Sequence, residues 1–590
     1  MNKKNYTLKD TFELALKNYQ KRDLKTAELF CKKVLSIDTN HFDSIFLLSI
    51  IAATNNDFNE AKKLLEKAKE IEPNNLRVYN NLGNVYKELK NINESINCYK
   101  KIIEIDPKHI NAHYNLGLAY YGLRNLRESK KYFQKTVQMQ PDYALAFFNL
   151  GSIHGELKEW QEAIEAYQSA IKIRSNFASA YNNMGLIYRA MSDYKNAINC
   201  YQEVIKINPK NVGAYNNLGM AYKEIGDFKK AIEAHSEATK IDPENLHHLF
   251  YLNELKPDFL ETKLIPKIEK IINDRNATKK NIAYGNFLLA KFKNNKKEYE
   301  KEFTYLLKAH SNFFEFRKEK FELGIKYCFN ELLQIVDNAN ITTKKKNADY
   351  NIKPIFIVGV PRCGSTLVEK IIGSGKKSFP MGEEANVIED YVNKKILQMQ
   401  SVNLGDVEQI RTEITKIYKQ KNLIDEKSNY VFSDKSLNNF FYIPLLKKIF
   451  PRAKIINCRR NVLSSITSIF QNNLTELSWA HNPEHIFKYF DIYFRIINSF
   501  KEKYAETIYE LKFEQLLNDP EAESKKLMEF CELPWDKKCL EFYKRKNIIS
   551  KTASFQQVRR AIYKHPEAKY LPYKRFLDKY GNKYSWYKNK

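Results

Sequence analysis

Through the first 242 residues apolar positions keep helical spacing, and particular residues return every 34 positions. Proline stands at Pro73, Pro107, Pro141, Pro209 and Pro243, with Ser175 on the remaining rung. Glycine follows the same interval at Gly83, Gly117, Gly151, Gly185 and Gly219, and tyrosine at Tyr86, Tyr120, Tyr188 and Tyr222. A fourth ladder holds Ala27, Ala61, Ala163, Ala197 and Ala231, with Ser95 and Ser129 in its gaps. Two helices per unit follow, the glycine letting the first approach the second closely. Carried backwards, the frame adds units at roughly 5 to 38 and 39 to 72, where Ala15 and Ser49 replace the glycine, for seven units in all.

This period, with small residues at two helix contacts and proline closing each unit, resembles the tetratricopeptide repeat. The resemblance implies an all-α superhelix of hairpins with a concave groove over residues 1 to 242. Asn81, Asn115, Asn149, Asn183 and Asn217 form one more ladder. An asparagine on the buried side costs free energy unless its amide is paired, so the row is either a repeated helix-to-helix bond or a line of amides facing a ligand. The repeats also resemble those of O-linked N-acetylglucosamine transferases, whose asparagine ladder grips peptide backbone. That likeness makes a protein or peptide in the groove the implied partner.

After Pro243 the frame fades, but segments such as IPKIEKIINDR keep helical periodicity, and Gly285 with the turn Asn294 to Lys297 reads as a degenerate repeat. Residues 243 to 350 therefore form a helical connector, ending in the polar, patternless linker Asn338 to Asn351. From 351 to 590 the pattern changes. Four short β-like runs, Ile355 to Val358, Tyr430 to Phe432, Lys454 to Ile456 and Thr507 to Phe513, alternate with helical stretches long enough for crossovers. An α/β domain with a parallel sheet follows, its ligand beyond the carboxyl ends of the strands.

Length adds that 590 residues exceed one hydrophobic core, in agreement with a multidomain chain. The net charge of +27 raises the question of nucleic acid, but the basic residues interleave with acidic ones and form no stripe with stacking aromatics, so no nucleic-acid partner is expected. Eight cysteines without CxxC spacing fit free thiols in a reducing compartment. The N-terminus has no apolar core of a signal peptide and no stretch approaches 18 uninterrupted apolar residues, so a cytoplasmic protein without a membrane span is expected.

Candidate chemistry gathers at Pro354 to Gly375, PIFIVGVPRCGSTLVEKIIGSG, a strand, a loop and a helix beginning at Ser365. Gly359, Gly364, Ser365 and Thr366 follow the phosphate-loop pattern GxxxxGK[ST] with serine in the lysine position. Backbone N–H groups at a helix start make an anion site, and the positive charge sits at Arg362. Without the lysine the loop is poorly built for a triphosphate but suits a shorter anion. Further on, Arg460 at a strand end precedes Ser468 by eight residues. A guanidinium and a hydroxyl two turns into the next helix would bind a phosphate on a ribose.

Together these motifs resemble sulfotransferases. Arg362, Cys363, Gly364, Ser365, Thr366 and Leu367 are similar to the loop that holds the 5′-phosphosulfate, and Arg460 with Ser468 to the 3′-phosphate motif. With the repeats, the chain resembles the bacterial tetratricopeptide-repeat sulfotransferases, relatives of tyrosylprotein sulfotransferases. The resemblance implies 3′-phosphoadenosine 5′-phosphosulfate as cofactor, its bisphosphate as product, a hydroxyl-bearing acceptor such as a peptide tyrosine, and no metal. It also implies catalytic roles for Glu384 of the Gly382-Glu383-Glu384 motif, with Glu383 as the alternative base, and for Lys435 and Arg362. TASFQQVRRAIYK resembles the family's returning segment, with Arg560 as its phosphate contact. Cys363 and Ala561 stand where the family has serine and proline. Two rivals remain: an ATP-dependent kinase with Thr366 and Asp434 on magnesium, and a repeat scaffold with an inactive transferase remnant.

Overall fold

A computed structural model describes residues 7–334, 340–342, 351–375, 379–399, 403–424, 430–545, 549–552, 554–562 and 570–588. By internal contact the chain divides into two compact units, Met1–Pro209 and Lys210–Lys590.

Among the described residues the first unit is a run of six helix hairpins, from Leu8–Gln20 with Leu24–Leu35 to Ala178–Ala190 with Tyr194–Ile207, each packed on the next. The glycine ladder explains the close packing within a hairpin. A Cβ at Gly83 would lie 2.7 Å from the Tyr99 ring, and Gly117, Gly151 and Gly185 face Phe133, Tyr167 and Tyr201 in the same way. The asparagine ladder is half-buried. Asn115 donates to Asn80 Oδ1 at 3.5 Å and Asn149 to the Tyr114 hydroxyl at 3.1 Å, bonds to the first helix of the preceding hairpin. Asn81 instead donates to Arg77 O at 2.9 Å within its own helix, and Asn183 accepts from Asn182.

The second unit opens with the seventh hairpin, Val212–Ile225 and Phe228–Ile241, so one repeat lies in the same compact unit as the α/β domain. Helices Leu246–Leu255, Lys279–Asn295 and Tyr299–Phe316 follow. The last of these is tied to the α/β part: His310 Nε2 lies 2.7 Å from Phe470 O, and Glu302 accepts from Gln471 at 3.0 Å and from the Tyr573 hydroxyl at 2.6 Å. Of the expected linker, Asn340–Thr342 forms a strand parallel to Asn403–Asp406, and most of the remainder lies outside the described residues.

Among the described residues the main sheet has five parallel strands: β1 (Lys353–Gly359), β2 (Met381–Glu383), β3 (Val431–Lys435), β4 (Lys454–Arg459) and β5 (Ile508–Lys512). Their order is β2-β3-β1-β4-β5. β1 is central and buried, as its uninterrupted apolar run requires of a strand covered on both faces. Glu383 pairs in register with Lys435, and Gly359 with Cys458, so the carboxyl ends of four strands lie side by side. No helix among the described residues is long and apolar enough to cross a membrane.

Candidate functional site

β1 runs into a loop held in left-handed backbone, with Arg362 at φ 68° and Gly364 at φ 97°. Gly364 caps helix Ser365–Ile372, and a Cβ there would overlap the Phe513 ring that follows β5. The first-turn amides of Ser365, Thr366 and Leu367 have no carbonyl inside the helix to bond, which is the usual basis of an anion site. The Cys363 amide bonds Val360 O at 3.3 Å, and its thiol is fully buried, facing Gly359 and interacting with Cys458.

On the β4 side two guanidinium groups converge. Arg362 donates through Nε to Ser468 Oγ at 2.9 Å and through Nη1 to Ser554 Oγ at 2.8 Å. Arg460 donates to Arg362 O at 3.2 Å and lies 5.3 Å from the centre of the Phe513 ring. Its neighbour Arg459 is turned away, paired with Glu510 at 3.1 Å. Thr366 and Thr552 hydroxyls are 3.3 Å apart. Beside Arg362, Arg460 and Ser468 lies a cavity of about 750 Å³, walled also by Asn253, Gln471 and Tyr573. A second slot of about 50 Å³, lined by Leu367, Phe513, Val558 and Arg560, is too small for a nucleotide by itself, whereas the larger cavity is within the range of small-molecule sites.

On the β2–β3 side the charges alternate. Lys435 Nζ donates to Glu384 Oε1 at 2.6 Å and lies 3.7 Å from Glu383; Lys370 lies 3.6 Å from Glu383 and 3.4 Å from Glu369. Burial alone would lower the Lys435 pKa, but the carboxylates of Glu384, Glu383 and Glu369 outweigh it and raise the ammonium above its ordinary value. Burial pushes Glu383 upward, but Lys435 and Lys370 prevail and hold it below the ordinary glutamate range. Glu369, fully buried, is driven up by desolvation. Glu384 sits at φ 55° with its side chain 36% exposed, against 6% for Glu383.

Comparison with known proteins matches residues 354–537 to the sulfotransferase family. Tetratricopeptide-repeat families match residues 83–123, 185–226, 114–178 and 212–245. The chain carries tetratricopeptide repeats and a domain that matches the sulfotransferase family. An uncharacterized protein of Aquifex aeolicus is 29% identical over 329 residues, 53% of this chain; the match spans 43% of that relative's length. Among solved structures, MamA is 28% identical over 29% of this chain and 93% of its own, with a TM-score of 0.28. YrrB, described as a TPR protein with an unusual peptide-binding site, is 23% identical over 31% of this chain and 95% of its own, with a TM-score of 0.28. A TPR protein from Cytophaga hutchinsonii is 16% identical over 41% and 99%, with a TM-score of 0.37.

Within the sulfotransferase-family domain, then, the residues singled out from sequence fall into two groups on one sheet edge. Arg362, Gly364, Ser365, Thr366, Leu367, Arg460 and Ser468 surround the loop, and Glu384 and Lys435 meet at the ends of β2 and β3. Arg560 is exposed and lines the smaller slot, whereas Arg559 points to the seventh hairpin. Asp434, the magnesium candidate of the kinase reading, projects to the other face of β3, where its buried carboxylate accepts from the Tyr418 and Ser436 hydroxyls. Sequence reasoning missed Thr552, Ser554 and Phe513. A signal for the first two was present in TASFQQVRR, but nothing in the sequence placed Phe513, which follows β5, against Gly364.

Proposed function

We propose that the domain is a sulfotransferase acting with 3′-phosphoadenosine 5′-phosphosulfate on a hydroxyl acceptor, such as a peptide tyrosine, that the repeats recruit. The observation that carries this reading is the segregation of charge along the sheet edge. Cations and hydroxyls, Arg362, Arg460, Ser468 and Ser554, stand on one side of the loop, and the Lys435–Glu384 pair stands on the other.

The donor set fits the cofactor. Arg460 and Ser468 would hold the 3′-phosphate, and Arg362 with the amides of Ser365, Thr366 and Leu367 the 5′-phosphosulfate. When bound, the cofactor supplies the sulfuryl group. Glu384 Oε accepts the proton of the acceptor hydroxyl. Glu384 is preferred to Glu383 because the latter is nearly buried and committed to Lys370, Lys435 and the Ser550 hydroxyl. Lys435, kept charged by its three carboxylates, stabilises negative charge developing beside it.

The kinase reading needs Asp434 on the loop side of β3, and that carboxylate faces Tyr418 instead. Thermal shift separates the readings. Adenosine 3′,5′-bisphosphate is expected to stabilise the protein without magnesium, and stabilisation by ATP only with magnesium would overturn the proposal. Incubating the protein and labelled cofactor with a cell extract then shows whether label enters protein or small molecules. A protein that transfers no label to any acceptor is the scaffold of the second rival.

A further inference from the structure

The described residues of the segment 550–560 present two faces. One reaches the site: the Ser550 hydroxyl lies 3.3 Å from Glu383 Oε1, Thr552 lies 3.3 Å from the Thr366 hydroxyl, and Ser554 Oγ accepts from Arg362 at 2.8 Å. The other reaches the seventh hairpin and the helix after it. Ser550 N donates to Glu224 O at 3.0 Å, Gln556 donates to Glu254 O at 3.1 Å, and the Phe555 ring meets Phe228 edge-on at 5.7 Å.

Arg559 binds these faces together. Its Nη2 donates to Glu224 O at 2.9 Å, its Nη1 donates to Phe555 O at 2.5 Å, and its guanidinium lies 5.3 Å from the centre of the Phe228 ring. Glu224 is in the last turn of helix Val212–Ile225, where carbonyls lack intrahelical donors and cations are favoured by the dipole. The helix stops at Gly226, φ 86°, and a Cβ there would overlap the Arg559 guanidinium. The glycine therefore both ends the helix and leaves room for the cap.

We infer that Arg559 is a positioning residue for the anion site: by capping the seventh repeat's first helix it fixes the segment that holds Thr552 and Ser554 against Thr366 and Arg362. This rests on the sulfotransferase reading. It makes the last repeat a working part of the site.

The test measures adenosine 3′,5′-bisphosphate binding by titration calorimetry on the intact chain, at a temperature where circular dichroism shows every variant folded. Loss of a charge-assisted anchor predicts roughly tenfold to a hundredfold weaker binding for Arg559→Ala, with Arg559→Lys and Gly226→Ala intermediate. Because Arg559 acts through Ser554, the double variant Arg559→Ala/Ser554→Ala should bind no more weakly than Arg559→Ala by more than about twofold. Unchanged affinity in Arg559→Lys and Gly226→Ala, with only the melting temperature lowered, would overturn the inference, as would additive losses in the double variant. Failure of the unsubstituted protein to bind the bisphosphate would instead remove the sulfotransferase reading on which the inference stands.

Discussion

Lys435 Nζ and Glu384 Oε1 are 2.6 Å apart, one at the buried end of β3 and the other on a half-exposed, left-handed turn after β2. The pair joins a fixed cation to the carboxylate that an acceptor can reach. Removing only the basic oxygen should therefore leave cofactor binding intact. Glu384→Gln is expected to lower turnover by roughly 10²- to 10⁴-fold, the usual size of general-base catalysis, with the affinity for adenosine 3′,5′-bisphosphate retained. Unchanged turnover would place the base elsewhere.

The same lysine also neutralises Glu383 and Glu369, neither of which can turn to solvent. Lys435→Met leaves those carboxylates short of a partner, and breaking a buried pair costs about 3–5 kcal/mol. Urea denaturation should show a loss of that order. Adding Glu383→Gln should restore part of it, and a double-mutant cycle measures how much. Purely additive losses would show that Lys435 and Glu383 do not couple.

The repeats were legible because each unit restates the same packing problem: a ring on the second helix needs a glycine opposite, as Tyr99 needs Gly83. β1 was legible because a strand covered on both faces reads as an apolar run, here Ile355 to Val358, and β4 from the shorter apolar pair Ile455 and Ile456. β2 was not, since a three-residue edge strand, Met381–Glu383, has no period to detect. Nor does local sequence choose between Arg559 and Arg560. Adjacent residues point apart, and only the tertiary position of Gly226 decides which one meets the repeat. Ser554 lies 192 residues from Arg362, so their bond leaves no local trace.

Acid should act on this site through Glu383. Its carboxyl is held below the ordinary value of 4.5, because Lys435 and Lys370 outweigh the burial that pushes it up. A carboxylate with a depressed folded-state pKa adds stability that is complete above its unfolded value and is lost as pH falls through the folded one. The difference in melting temperature between the protein and Glu383→Gln should thus be constant above about pH 5 and shrink at lower pH. A difference that instead grows with acidification would mean that Glu383 is not held ionised by its lysines.

Arg460 tests whether the anion site needs a guanidinium or only a charge. Its guanidinium carbon lies 5.3 Å from the centre of the Phe513 ring while Nη1 donates to Arg362 O, so the group is held by a ring and a carbonyl before any phosphate arrives. Lysine keeps the charge but neither spans two phosphate oxygens nor stacks as a plane. Arg460→Lys is therefore expected to weaken adenosine 3′,5′-bisphosphate binding by about tenfold, and Arg460→Ala by about a hundredfold or more, as loss of charge-assisted hydrogen bonds worth about 1.5–3 kcal/mol implies. Titration calorimetry at two salt concentrations checks both. The salt dependence should persist in the lysine variant and weaken in the alanine variant, because it follows the charge rather than the geometry. Equal affinity of Arg460→Lys and the unsubstituted protein would reduce Arg460 to a point charge and leave its stacking on Phe513 without a role in binding.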